Sequence, residues 1–306
     1  MQARQRAERP MISRLFRCFG LRLCLLVLLF VAAPVWAQEI EARMYSNAPV
    51  GYNFVGVGFT QVKTSKYELN SELLSYNRIL DVFGQSGKIN VIVPYSQLHG
   101  KTTVGNQVIT GSAQGLTDPI IRVAANLYGA PALTPEEFRH YQQDLIIGAN
   151  LSAVVPWGEY NSNQLFNVGA NRTFLQPGLG ASQAKGPWRF ELSGDATFFS
   201  DNRNFYGGNN LSQNPIYSGT GHVIYYFPST AWLSTDVTYY SGGQSFVNGR
   251  QINNSQENWL FGMTLSMPVN AHNAIKLHAA EGSFFSLGQN YTMYGVVWQY
   301  RWGDGR

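Results

Sequence analysis

Polar and ionisable side chains interrupt apolar stretches at alternate positions: Arg122, Asn126, Asn150, Arg189, Glu191, Asp195, His222, Asp236, Lys276, His278, Gln299 and Arg301. Gathered on one side of a wall, residues of both signs could line a water-filled path and set which solutes pass it. The same set could equally form a salt-bridged network that fills a narrow interior and holds it rigid. Five histidines (His99, His140, His222, His272 and His278) invite a metal or catalytic assignment. None stands in a His-x-x-x-His or comparable ligand spacing, so hydrogen-bonded structural roles are expected for His222 and His278. No Ser/His pair at a recognisable spacing marks a nucleophile, although a triad is defined by geometry and not by spacing. Gly56 and Gly58 lack the third glycine and following helix of a dinucleotide fingerprint, and read as easing bending or close packing of a strand. No catalytic residue, metal ligand or cofactor is assigned.

The elements that must carry these residues are strands. Trp188, Phe190, Leu192, Ala196 and Phe198 fall on one face, and Arg189, Glu191, Ser193, Asp195 and Thr197 on the other. Ile275, Leu277 and Ala279 oppose Lys276, His278 and Ala280; Tyr294, Val296, Trp298, Tyr300 and Trp302 oppose Gly295, Val297, Gln299 and Arg301. A period of two sends successive side chains to opposite faces of a sheet. Roughly twelve such segments are expected, near 54–62, 73–83, 88–98, 119–128, 144–155, 172–182, 188–200, 216–227, 231–241, 256–268, 273–285 and 291–302. Their spacing of about 22 residues suits a membrane-crossing strand of roughly ten residues plus a connection.

The connections alternate in length. Gly84–Gly87, Gln183–Pro187, Pro228–Thr230 and Val269–His272 are short, whereas His99–Asp118, Pro156–Asn171, Asp201–Pro215 and Gly242–Ser255 are long and polar. Short periplasmic turns and longer outer loops distinguish an antiparallel membrane barrel. Gly129–Gln143 breaks the rule, and Thr134-Pro135-Glu136-Glu137-Phe138 reads as the start of a short periplasmic helix. Tyr52, Trp157, Trp188, Trp232, Trp259 and Trp302 near strand ends suggest an interfacial aromatic girdle. A soluble β-sandwich shares the alternation but not the girdle, the export signal or the loop asymmetry.

That signal occupies residues 1–37. Arg14, Arg17 and Arg22 precede the apolar run Leu23–Ala33, and Pro34-Val35-Trp36-Ala37 places small residues before a cut after Ala37. About 11 apolar residues fall short of the roughly 20 of a spanning helix, so a retained anchor is the weaker reading. Cys24 lies inside that run without the small residues of a lipidation box. The leader holds six of the 22 Lys and Arg and one of the 18 acids, so residues 38–306 carry 16 bases and 17 acids. The basic balance therefore belongs to the leader and offers no nucleic-acid surface. Both cysteines, Cys18 and Cys24, leave with it, which excludes disulfides and thiolate metal sites from the mature chain. Residues 38–306 are expected to form one domain.

The stretches Pro156-Trp157-Gly158-Glu159-Tyr160 and Asn167-Val168-Gly169-Ala170-Asn171-Arg172 resemble the Pro-x-Gly-x-Tyr and Asn-x-Gly-x-Asn-Arg signature of the "MetA pathway of phenol degradation" family. Pro177-Gly178-Leu179-Gly180, Asn47-Ala48-Pro49-Val50-Gly51, Gly115-Leu116-Thr117-Asp118-Pro119 and Tyr239-Tyr240-Ser241-Gly242-Gly243 extend the resemblance over most of the mature chain. Thr117 stands where glycine is expected, and Thr173 where an aromatic is common. The resemblance implies an outer-membrane barrel and transporter linked by name to aromatic catabolism, and implies no catalytic residues. The motif residues Pro156, Gly158, Tyr160, Asn167, Gly169, Asn171 and Arg172 are expected to fold a loop against the mouth, its Pro, Gly and Asn suiting turns.

The expectation is an all-β, up-and-down transmembrane barrel of about twelve strands with both ends periplasmic. It would pass small molecules, apolar or aromatic ones among them, across the bacterial outer membrane. A lipid-active barrel enzyme and a closed structural or surface-binding barrel are the alternatives. Expected partners are outer-membrane lipid, an unnamed small-molecule substrate and, during biogenesis, the barrel-assembly machinery, which reads terminal aromatics such as Trp302. No cofactor and no nucleic acid is expected.

Overall fold

The computed structural model describes residues 42–104, 107–252, 254–284 and 289–303; the expected signal peptide lies outside the described residues. In chain order the elements are β1 (Asn53–Thr64), β2 (Tyr67–Val82), β3 (Gln85–Val104), β4 (Gln107–Leu116), β5 (Ile120–Tyr128), helix α1 (Pro135–Phe138), β6 (Leu145–Val154), β7 (Phe174–Lys185), β8 (Trp188–Phe199), β9 (Asn202–Phe205), β10 (Asn209–Gln213), β11 (Ile216–Tyr226), β12 (Trp232–Gly242), β13 (Ser245–Val247), β14 (Arg250–Gln251), β15 (Gln256–Pro268), β16 (Asn273–Phe284) and β17 (Gln289–Trp302). Thirteen strands share one sheet, and all of them except β4 close into a ring of twelve. β1 pairs antiparallel with both β2 and β17, so first and last strands meet and no edge is left open.

Alternation decides which side of the wall each residue takes. On β8, Phe190, Leu192 and Phe198 are exposed, and Glu191, Ser193, Asp195 and Thr197 between them are buried. The exposed set continues round the ring through Val57, Phe59, Leu74, Leu179, Phe261 and Val296. Such a continuous apolar belt is far larger than a soluble monomer tolerates. Against lipid each of these side chains is worth about 1.5–3 kcal/mol. The barrel therefore crosses a membrane, and a closed antiparallel barrel is the form in which outer-membrane proteins do so.

Aromatic rings border the belt. Trp188, Tyr225 and Phe227 pack edge-on with centroids 4.7 and 5.0 Å apart, and Trp298, Tyr300 and Trp302 stack at 6.3 and 5.9 Å. Two residues expected in this girdle are not on the outside. Trp232 is buried inside against Ala42 and Ile224, and Tyr52 lines an internal cavity. Trp232 shares its parity with Ser234 and Asp236, which a rule based on residue type overlooks.

The two ends differ. At one end strands join by short turns such as Phe83-Gly84, where Gly84 takes φ +80°, and β1 starts and β17 finishes here, since Asn53 pairs with Trp302. The exception is the connection holding α1, where Thr134 Oγ1 accepts from Glu137 N (3.3 Å) and the Glu137 carboxylate accepts from Thr134 N (2.9 Å). This capping box satisfies amides that so short a helix leaves open. At the other end β9, β10, β13 and β14 form a second small sheet joining two long loops.

One long connection is not a loop. Most of 99–118 continues β3 upward and returns as β4, paired from Tyr95↔Leu116 to Val104↔Gln107. β4 and β5 both pair with β3 and are separated by Thr117, Asp118 and Pro119. Pro119 has no N–H for the ladder, and its ring constrains Asp118. The strand breaks there and leaves Asp118 on the inside.

Candidate functional site: the barrel interior

The inner wall is layered. Near the loop end it is apolar: Val62, Ile216, Tyr240, Leu260, Tyr291 and Met293 form one buried cluster. Ile120, Val154 and Phe174 form a second. Below this collar the inward positions are polar, with Ser71 and Ser96 hydroxyls 2.7 Å apart and Thr220 and Thr238 hydroxyls 3.0 Å apart. Cross-strand pairs of this kind hold adjacent strands in register from within.

The sequence-selected residues divide into groups. His222 Nδ1 lies 2.6 Å from Asp236 Oδ1, and the Ser234 hydroxyl donates to the same oxygen. Asn150 Nδ2 donates to the Tyr45 hydroxyl at 2.8 Å and reaches Asp195 Oδ1 at 3.4 Å. His278 Nδ1 lies 2.9 Å from Thr264 Oγ1. Arg122, Lys276, Gln299 and Arg301 are brought together around a cavity, and Arg122 Nε donates to Ser152 Oγ at 2.9 Å. Two stand apart from these groups. Asn126 donates to Ser86 (2.9 Å), and Arg189 folds over Tyr226 at the turn end while donating to the Gly186 and Trp188 carbonyls.

Residues Ala42–Pro49 run inside the barrel from the turn end. Arg43 N donates to Glu191 Oε2 at 2.8 Å, and Ser46 Oγ to Oε1 at 3.4 Å. Lys88 Nζ donates to the Arg43 and Met44 carbonyls, each at 2.9 Å. The Tyr45 ring lies against the wall where Gly148 and Gly180 leave room; a Cβ would fall 2.4 and 2.2 Å from it. The segment packs on the β6–β8 side and leaves a cavity of about 540 Å³ beside it, lined from β1–β3, β5, β12 and β15–β17. Arg43, Lys88, Arg122, Lys276 and Arg301 line that cavity, and among the described residues no carboxylate does.

The loop end is fastened by different chemistry. Asp118 is buried, its Oδ1 accepting from Gly158 N (2.8 Å) and its Oδ2 from Ala170 N (2.7 Å). Burial pushes this carboxyl above its ordinary range, and the two amides pull it back only in part. Between the two anchored points the loop inserts Phe166 against Gly100 and Gly111, register partners whose Cβ atoms would fall 2.2 and 2.5 Å from the ring.

The motif residues build this loop. Gly158 and Gly169 pack too closely for a Cβ, which would come within 2.7 and 2.9 Å of neighbouring backbone. Asn167 closes a turn by accepting from Asn161 N at 2.7 Å, and the Tyr160 hydroxyl donates to Asn204 O at 3.3 Å. Asn171, at φ +53°, donates to Asn202 (2.9 Å). Arg172 donates to Gln213 (2.6 Å) and lies 4.8 Å over the Phe199 ring. Pro156 is exposed at the start of the loop.

Sequence reading did not single out Arg43, Tyr45, Lys88 and Phe166 for this site. Lys88 alternates with inward neighbours and could have been found by parity; the others sit outside the strands, where no periodicity points to a partner.

A family model described as "Putative MetA-pathway of phenol degradation" matches residues 53–303, which is the whole ring with both of its fastenings to the loops. The chain belongs to this family. An outer membrane channel from Pseudomonas putida F1 superimposes with a TM-score of 0.74 at 18% identity, covering 86% of this chain and 100% of that one. The transport unit of the autotransporter AIDA-I from Escherichia coli does so with a TM-score of 0.50 at 7% identity, over 91% and 98%. At these identities the likeness is one of fold: outer-membrane barrels share this wall. No curated protein sequence matches the chain.

Proposed function

We propose that the protein is a passive outer-membrane channel for small molecules, aromatic ones among them. The observation that carries this reading is the layered interior: an apolar collar below the loops, a polar belt beneath it, and a cavity near the turn end. A sealed structural barrel has no need of a cavity of about 540 Å³ inside its wall. An apolar collar favours partition of a planar apolar ring over hydrated ions, and the polar belt below favours onward release. The family description and the fold shared with a channel of Pseudomonas putida F1 support the same reading.

Transport is favoured over lipid hydrolysis by one detail. Ser234, Asp236 and His222 meet inside the barrel, but the serine hydroxyl is given to the aspartate and not to the imidazole that would have to activate it. Barrel-assembly machinery remains the expected partner during biogenesis, with Trp302 at the end of the last strand.

The test is conductance of the refolded mature chain in a planar bilayer. Discrete steps whose size follows salt concentration are expected. A folded barrel that stays silent under all voltages, and that does not admit phenol into liposomes, contradicts the reading.

A further inference from the structure

We infer that the outer wall carries a binding site for the headgroup of an anionic phospholipid, centred on Arg78 at the turn end. Alternation turns Leu74, Tyr76 and Arg78 of β2 outward, between the inward Asn77 and Ile79. Arg78 is exposed and pairs with Asn53 of β1, which pairs on its other side with Trp302 of β17. Arg78, Asn53 and Trp302 therefore form one outward row across three adjacent strands. The row lies within the aromatic border of the belt: the Tyr76 ring is 6.2 Å from Trp302, which stacks on Tyr300 at 5.9 Å. Val55, Ile89 and Val91 continue the lipid-facing wall around it.

Among the described residues Arg78 makes no hydrogen bond, ion pair or ring contact. Among them it is also the one charged side chain on the outward faces of β1, β2, β3 and β17 between this row and Glu72. Glu72 stands six residues along β2, about 20 Å away. A guanidinium on a lipid-facing strand is costly unless it reaches the interface, so its stem lies along the apolar wall and its head at the phosphate level. A phosphodiester accepts two of its N–H groups side by side, a fork that an ammonium cannot offer. The Trp302 indole N–H supplies a further donor in the same row. Asn53 is already engaged, its Oδ1 accepting from the Tyr76 hydroxyl (2.7 Å) and its Nδ2 donating to Gly51 O (2.8 Å). The row thus offers donors and no carboxylate, and a cationic amine on the headgroup finds nothing there to hold it. That selects phosphatidylglycerol over phosphatidylethanolamine. The short-turn end of outer-membrane barrels faces the periplasm, which places the site in the inner leaflet. The inference needs a membrane barrel and stands whether or not the lumen conducts.

The test is native mass spectrometry of the folded chain of residues 38–306 in detergent, with phosphatidylglycerol or phosphatidylethanolamine added. One phosphatidylglycerol is expected to stay bound at collision energies that strip phosphatidylethanolamine. Arg78→Gln should weaken its retention about five-fold, the loss of one charge contact at water-like screening. Arg78→Lys should weaken it less, because the charge remains while the fork is lost. Lys185→Gln, which removes an exposed charge at the end of β7, should leave retention unchanged. Heat-modifiable migration checks folding, and Arg78→Lys carries the test if the glutamine variant does not fold.

Equal retention of the two lipids would overturn the site, as would retention unchanged by both Arg78 variants. A loss in Lys185→Gln as large as in Arg78→Gln would also overturn it, since the lipid would then answer to net charge and not to this row. Glycerol phosphate held as firmly as phosphatidylglycerol would mean a phosphate site without a lipid, and the inference would fail.

Discussion

The two ends of the barrel are obstructed by opposite means. At the loop end a buried carboxylate takes two backbone amides of the 155–173 loop, and an aromatic ring fills a notch made by two facing glycines. Tyr160, Asn171 and Arg172 tie the same loop to the small sheet of the neighbouring loop, and the apolar collar lies below it. At the turn end, Ala42–Pro49 packs on β6–β8 through Glu191, Asn150 and the glycines of β6 and β7, is reached from β3 by Lys88, and leaves an open volume beside it. The loop end is pinned at two points, Asp118 and the Gly100/Gly111 notch, whereas the turn end is divided by a segment inside the barrel.

The strongest test of this contrast is Tyr45→Ala. Truncating a buried aromatic costs about 3–5 kcal/mol, and here the cost falls on docking of the segment and not on the ring of strands. Because both cysteines lie in residues 1–37, a chain of residues 38–306 permits a single reporter, Met44→Cys. Maleimide labelling of that thiol is expected to accelerate by two orders of magnitude or more when Tyr45→Ala is added, at about 1.4 kcal/mol per ten-fold. Gly180→Ala should act the same way, since its Cβ would fall 2.2 Å from the Tyr45 ring. The two together should cost little more than either alone. Unchanged labelling would mean that the segment is not held by this ring, and the contrast between the ends would fail.

At the loop end the corresponding change is Asp118→Asn. The amide must turn its NH₂ toward one of two backbone donors, leaving that N–H unsatisfied, for about 1–3 kcal/mol. The loop is expected to undock, detected as protease cleavage within 160–165 and as longer open times in the bilayer, with the barrel still heat-modifiable. If cleavage is unchanged, Phe166 in its glycine notch holds the loop without the carboxylate.

The difference between these two sites also shows how far the sequence could be read. The wall was readable because lipid on one side and a polar interior on the other impose a period of two, as from Trp188 to Phe198. The β3–β4 extension was not, because it rises above that boundary, where Gln107–Leu116 meets no apolar phase and both faces stay mixed. Asp118 stood in a motif, yet its partners Gly158 and Ala170 lie 40 and 52 positions away. Tyr45 and Asn150 are 105 positions apart, and nothing periodic in Ala42–Pro49 announces a contact across that distance. Part of the collar was hidden for another reason: Leu260 lies between the outward Trp259 and Phe261, and Met293 beside the outward Tyr294, so the strand reads as apolar on both faces and the phase is lost.

The smallest expected effect refines the turn end alone. Glu191 accepts from Arg43 N and from Ser46 Oγ, and Glu191→Gln keeps an acceptor for one of them while removing the charge. A charge-assisted hydrogen bond is about 1 kcal/mol stronger than a neutral one, so labelling of Met44→Cys should rise only several-fold. Labelling as fast as with Tyr45→Ala would show that the segment is held chiefly through Glu191, and the ring in its glycine recess would then be a secondary contact.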